Sequence, residues 1–121
     1  MLPTRMINRG ALILKYKEPF IKWANECDPD DMEFTVTLEE ANKERNVYLI
    51  SDRDAENLDK WLKANYRELF KWELEDWCTD ESLWPEQLDY RMFKKWFEVE
   101  CHSMVFDTVG GDIVDDELDT I

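Results

Sequence analysis

The sequence predicts a small α+β domain, with a three- to four-stranded sheet and helices packed mainly on one of its faces. Three observations carry that reading. From Leu58, apolar residues recur four apart through Leu62, Tyr66, Phe70 and Leu74, closing with a step of three at Trp77, which is the period of one helix face. Residues 97–106 alternate instead, with Phe97, Val99, Cys101, Ser103 and Val105 on one side and Glu98, Glu100, His102, Met104 and Phe106 on the other, as a half-buried strand does. Short apolar runs and helix-start signals before these give the order β-α-(β)-α-β-α-α-β.

In chain order, residues 1–9 show neither period and read as a loose lead-in. Ala11-Leu12-Ile13-Leu14 is continuously apolar and suits a strand buried on both faces. Pro19 fits a first helical position, where its missing N–H costs nothing, and Phe20, Trp23 and Ala24 then share a face. This predicts a helix over 18–26, ended by the turn-forming Asp28-Pro29-Asp30-Asp31. Residues 33–36 read as a short edge strand. Thr37-Leu38-Glu39-Glu40 is a capping box, starting a helix over 38–45. Residues 46–50 form the next strand, and Ser51 caps the helix that follows, with Asp52 and Asp54 near its positive end. That helix is expected to run over 53–77, bent or broken near Asn65, with Trp61, Asn65, Leu69 and Trp72 broadening its apolar stripe. After the break at Pro85, a last helix over 88–97 turns Phe93, Trp96 and Phe97 inward.

A chain of 121 residues suits one domain, read as a globular body over 1–106 and a flexible acidic tail over 107–121. Hydrophobic residues make up 44%, as in folded proteins rather than disordered ones. The charge is unusual. There are 29 acids against 15 bases, a net −14, and the tail holds six of those acids and no base. Such a surplus argues against direct nucleic-acid binding and against anionic membranes, and favours a basic protein partner. The three cysteines, Cys27, Cys78 and Cys101, form no CxxC pair, which removes zinc ribbons and thioredoxin-like chemistry. Free thiols, with no apolar run of signal-peptide or membrane-span length, point to a soluble cytoplasmic protein.

Catalytic motifs are missing. With only Gly10, Gly110 and Gly111, no phosphate-binding glycine loop can be built, and the single histidine, His102, rules out multi-histidine metal sites. Cys101 and His102, adjacent on a strand, point to opposite faces and cannot pair as nucleophile and base. Asp28, Asp30, Asp31 and Glu33 gather carboxylates but miss the EF-hand spacing and read as a polar turn; Asp112, Asp115, Asp116 and Asp119 read as a solvated tail. No cofactor or metal is expected.

The distinctive segment is residues 73–89, which hold seven acids and no Lys or Arg and overlap the stretch 61–84 that carries four tryptophans, Trp61, Trp72, Trp77 and Trp84. Large rings call for burial while like charges call for water or cations. A tryptophan left exposed beside those acids would be an interface anchor within a rim that steers a basic partner. The candidate partner-binding residues are Trp72, Glu73, Glu75, Asp76, Asp80, Glu81 and Trp84. They point to an interaction module, an adaptor or inhibitor. Two alternatives stand beside it. A nucleic-acid mimic fits the charge, but Lys60, Lys63, Arg67 and Lys71 interrupt any anionic face. A small carboxylate enzyme rests only on residues 76–81, where an acid desolvated beside an indole could act as a general acid, or Asp80 could simply cap the next turn. A symmetric homodimer through the aromatic region stays open, provided its acids lie at the rim.

Overall fold

Strand β2 (Arg9–Tyr16) pairs antiparallel with β3 (Val47–Ser51) on one side and β4 (Phe97–His102) on the other, giving a sheet ordered β3-β2-β4. This is the organising element of a computed structural model that describes residues 2–27 and 35–117. Leu12, Leu14 and Tyr16 of β2 are buried, whereas Ala11, Ile13 and Lys15 on its other face are only half-covered. The strand expected to be buried on both faces is therefore buried on one. Its apolar run reflects a central place in the sheet, with partners on both edges, and helices cover a single face.

Those helices are α1 (Glu18–Glu26), the single-turn α2 (Leu38–Ala41), α3 (Asp52–Glu56), α4 (Leu58–Trp77) and α5 (Tyr90–Trp96). The core they close is aromatic. Phe20 of α1 lies 4.6 Å from Tyr16 and 5.2 Å from Phe97, and Phe70 of α4 packs 5.3 Å from Phe97 and 5.4 Å from Trp96, ring centre to ring centre. Leu62, Phe70 and Leu74 of α4 are buried, as the four-residue spacing required, with Leu69 buried beside them.

The predicted caps form. Thr37 Oγ1 accepts the Glu40 N–H at 3.2 Å and Ser51 Oγ accepts that of Asp54 at 3.1 Å. The boundaries differ for local reasons. Helix α2 stops at Ala41, short of the expected 45, because Asn42 turns its side chain to Tyr16, accepting the backbone N–H at 2.9 Å and donating to the carbonyl at 3.1 Å. The long helix breaks at Asn57, not at Asn65. Asn57 sits at φ −120° and ψ 45°, and its Nδ2 donates back to Arg53 O at 3.0 Å, ending α3 before α4 starts. Asn65 makes a similar bond to Trp61 O at 2.8 Å without interrupting the helix. The break lets α3 press onto β2 at Gly10, where a Cβ would stand 2.7 Å from that of Ala55, so only glycine fits.

The edge strand expected over 33–36 lies partly outside the described residues, as does the Asp28–Asp31 turn. Thr35 and Val36 are not in a strand; instead Asn25 brackets the Val36 backbone with bonds of 2.9 and 3.0 Å. Conversely, the lead-in holds a strand. β1 (Arg5–Met6) pairs antiparallel with β5 (Phe106–Asp107), backed by an Arg5–Asp107 ion pair at 3.0 Å. The alternating run 97–106 thus divides into β4 and the start of β5. Two-residue strands show no period, so the sequence could not reveal them.

Replacing Leu62 or Phe70 with alanine is expected to cost about 2–5 kcal/mol in urea unfolding, the range for emptied core sites; a negligible loss at both would contradict this packing.

Candidate functional site

Helix α4 turns one stripe to the sheet, and Glu73 falls on that stripe between Phe70 and Trp77. Its side chain is completely buried, 0% exposed. A carboxylate so placed costs several kcal/mol in lost hydration unless donors replace the water. Three do. Tyr16 Oη donates to Oε1 at 2.8 Å, Asn46 Nδ2 to Oε2 at 2.8 Å, and Tyr48 Oη to Oε2 at 2.5 Å. Trp77 Nε1 donates in turn to Tyr16 Oη at 3.3 Å. The end of β2, the start of β3 and the C-terminal part of α4 are thereby tied at one point. Burial, and then the hydrogen bond to Glu73 and its charge, push the Tyr48 hydroxyl far above the usual tyrosine value; Tyr16 is raised chiefly by burial, with Glu73 adding to it against the opposing Trp77 bond.

Next to Glu73 in sequence and about 100° round the helix, Trp72 is 50% exposed. Its ring stacks on Tyr48 at 5.9 Å with planes 19° apart, so the indole is backed by a side chain that Glu73 holds still. Glu68, Glu75 and Asp76 are exposed around it. Asp76 Oδ2 also accepts from Asn46 Nδ2 at 2.6 Å, linking the rim to the buried cluster. The result is an exposed aromatic side chain with little conformational freedom, edged by carboxylates.

The seven sequence candidates therefore separate. Trp72, Glu75 and Asp76 share a surface, and Glu73 lies beneath it, presented to no solvent. Asp80, Glu81 and Trp84 sit in the loop after α4. Asp80 Oδ1 accepts from Ser82 Oγ at 2.6 Å and Ser82 N at 3.1 Å, capping a 3₁₀ turn at Glu81–Leu83; these bonds hold its carboxyl below the usual range. Trp84 is half-buried and donates to Cys78 O at 2.8 Å, while Trp23 Nε1 reaches Leu83 O at 2.9 Å and fastens the loop to α1. Trp84 and Glu81 line a cleft of about 780 Å³ with Arg67 and Lys71 of α4; by helical spacing these two stand about 140° and 100° round the helix from Trp72. The acidic run is split between two flanks.

Sequence reasoning did not find Tyr16, Asn46 and Tyr48. They bond Glu73 from 57, 27 and 25 positions away, which no local pattern reveals. One signal was available: an acid on the apolar stripe of the longest helix.

Elsewhere, Cys101 is half-buried and His102 exposed, its Nε2 3.3 Å from Glu100 Oε2. Burial, followed by the neighbouring Cys78 thiol, pushes the Cys27 thiol up to about 12, far from a reactive thiolate. Among the described residues no three metal-binding side chains come together, and no helix is long and apolar enough to cross a membrane; Asp28, Asp30, Asp31 and Glu33 lie outside those residues. No protein family matches the chain, and no curated protein or solved structure is significantly similar to it.

In the unfolded chain Tyr16 and Tyr48 ionise near the ordinary value of 10.0, whereas the fold keeps both protonated well above it. The stability they contribute is complete below that value and lost as pH rises past it. The urea midpoint is expected to fall steeply above about pH 10, and less steeply in Tyr48→Phe; equal slopes in the two proteins would contradict the network.

Proposed function

We propose that this protein is an interaction module, an adaptor or inhibitor, that binds a basic partner through the surface around Trp72. The observation that carries the reading is the half-exposed indole, stacked on a tyrosine that a buried carboxylate immobilises and edged by Glu68, Glu75 and Asp76. Tryptophan is the side chain most enriched at binding hot spots, and a ring already fixed in place loses little entropy on binding. Exposed carboxylates around it accelerate encounter with a cationic surface and reject anionic ones.

The engagement of other acids supports a local anchor over a phosphate-like array. Asp80 and Asp89 cap helical turns, and Asp59 is shared between Lys63 at 3.4 Å and Tyr90 at 2.9 Å. Binding is also better supported than carboxylate catalysis, because three donors occupy Glu73 and, among the described residues, it lines none of the five main surface clefts. Three free cysteines suit a reducing compartment such as the cytoplasm.

Affinity capture from native lysate, with wild-type and Trp72→Ala bait at low and high salt, tests the reading. A basic protein is expected to be retained by the wild type, weakened by salt, and lost on the order of tenfold or more with Trp72→Ala. Retention that is indifferent to Trp72 would contradict it.

A further inference from the structure

We infer that β3 is the docking edge of this module, and that an extended segment of the partner, alternating cationic and apolar residues, adds to it as a further strand. The inference rests on the interaction reading and specifies how it is carried out.

The sheet has two outer strands, and only one is protected. Natural edges are blunted by charged side chains, proline or bulges, because their free N–H and C=O groups otherwise template another strand. On β4 the outward side chains are Glu98, Glu100 and His102. On β3 the sequence is Val47-Tyr48-Leu49-Ile50-Ser51, with no charge and no proline. Its register against β2 runs unbroken from Ser51↔Arg9 to Val47↔Ile13, without a bulge.

Both faces of this edge suit an incoming strand, and they differ. On the face away from the helices Val47 is 57% and Leu49 47% exposed, extending the row formed across the sheet by Ile13 and Ala11, and Leu49 also lines a cleft with Met6 and Ile113. On the helix side stand Tyr48 and the half-exposed Trp72, with Asp76, Glu75 and Glu68 along the flank of α4. Side chains of an added strand alternate between these faces. Those over Val47 and Leu49 are apolar; those beside Trp72 are Lys or Arg, meeting the indole face and the carboxylates together. The cationic preference centres on Glu68 and Glu75 beside Trp72, since Lys43 and Arg45 share a cleft with Val47 and Asp76 at the start of β3 and Arg53 follows the strand. A second copy of this chain is the weaker occupant, because pairing β3 with β3 would bring two such carboxylate flanks together in chains of −14 each.

The probe is acetyl-Lys-Val-Lys-Val-Lys-Val-Lys-amide, titrated into the isotope-labelled full chain by NMR. Its controls are the Glu-for-Lys peptide and the Lys peptide N-methylated at every second amide, in each of the two phases. Strand addition predicts shifts at Val47–Ser51 and at the Trp72 indole N–H, slowed amide exchange in β3, no response to the Glu peptide, and a loss of about tenfold or more in at least one methylated phase. Binding that moves Trp72 but spares β3, with both methylated peptides as good as the parent, overturns strand addition and leaves the interaction reading standing. No binding of the Lys peptide at millimolar concentration, or binding unchanged in Trp72→Ala, overturns both. Concentration-dependent β3 shifts without any peptide would assign the edge to a second copy and overturn the proposal.

Discussion

A carboxylate in the middle of a helix's apolar stripe can stay only if the surrounding structure supplies donors, and most of this architecture meets at the place where it does. Glu73 of α4 needs Tyr16 from β2, Tyr48 from β3 and Asn46 just before it, so the three elements are fixed in relative position by one group's need for donors. An apolar residue at this position would pack α4 against the sheet without specifying its register. The directional bonds of Glu73 do specify it. Because Tyr48 is also the platform for Trp72, the same network that orders the interior sets the one rigid aromatic feature of the adjoining surface.

The fold class was legible because it depends on periodicity over long segments. Leu62, Phe70 and Leu74 recur at the helix period and Phe97, Val99 and Cys101 alternate, and both patterns survive folding. Boundaries were less legible. Asn42 and Asn57 end helices through bonds to Tyr16 and Arg53, and nothing in sequence distinguishes Asn57 from Asn65, which bonds its own helix without breaking it. The short β1–β5 pair was invisible because two residues carry no period.

The site was legible in part. Trp72, Glu75 and Asp76 lie three and four residues apart on α4 and so share a flank, which the helix period already implies. Asp80, Glu81 and Trp84 follow in the loop after Cys78, where adjacency in sequence no longer means a shared helix flank. Glu73 was counted among surface acids when its place on the apolar stripe already set it apart. Its partners lie in strands contributed by distant parts of the chain, so tertiary structure alone could identify them.

The coupling between Glu73 and Tyr48, the tyrosine that supports Trp72, joins the interior to the surface above it. A double-mutant cycle with Tyr48→Phe, Glu73→Gln and the pair, followed by urea unfolding at neutral pH, measures it directly. A coupling energy of about 1–3 kcal/mol is expected, since Tyr48→Phe removes the donor and Glu73→Gln the charged acceptor of the same bond. Single-mutant costs that add within about 0.5 kcal/mol would show that the two residues act independently, and the buried carboxylate would lose its place as the anchor of the surface above it.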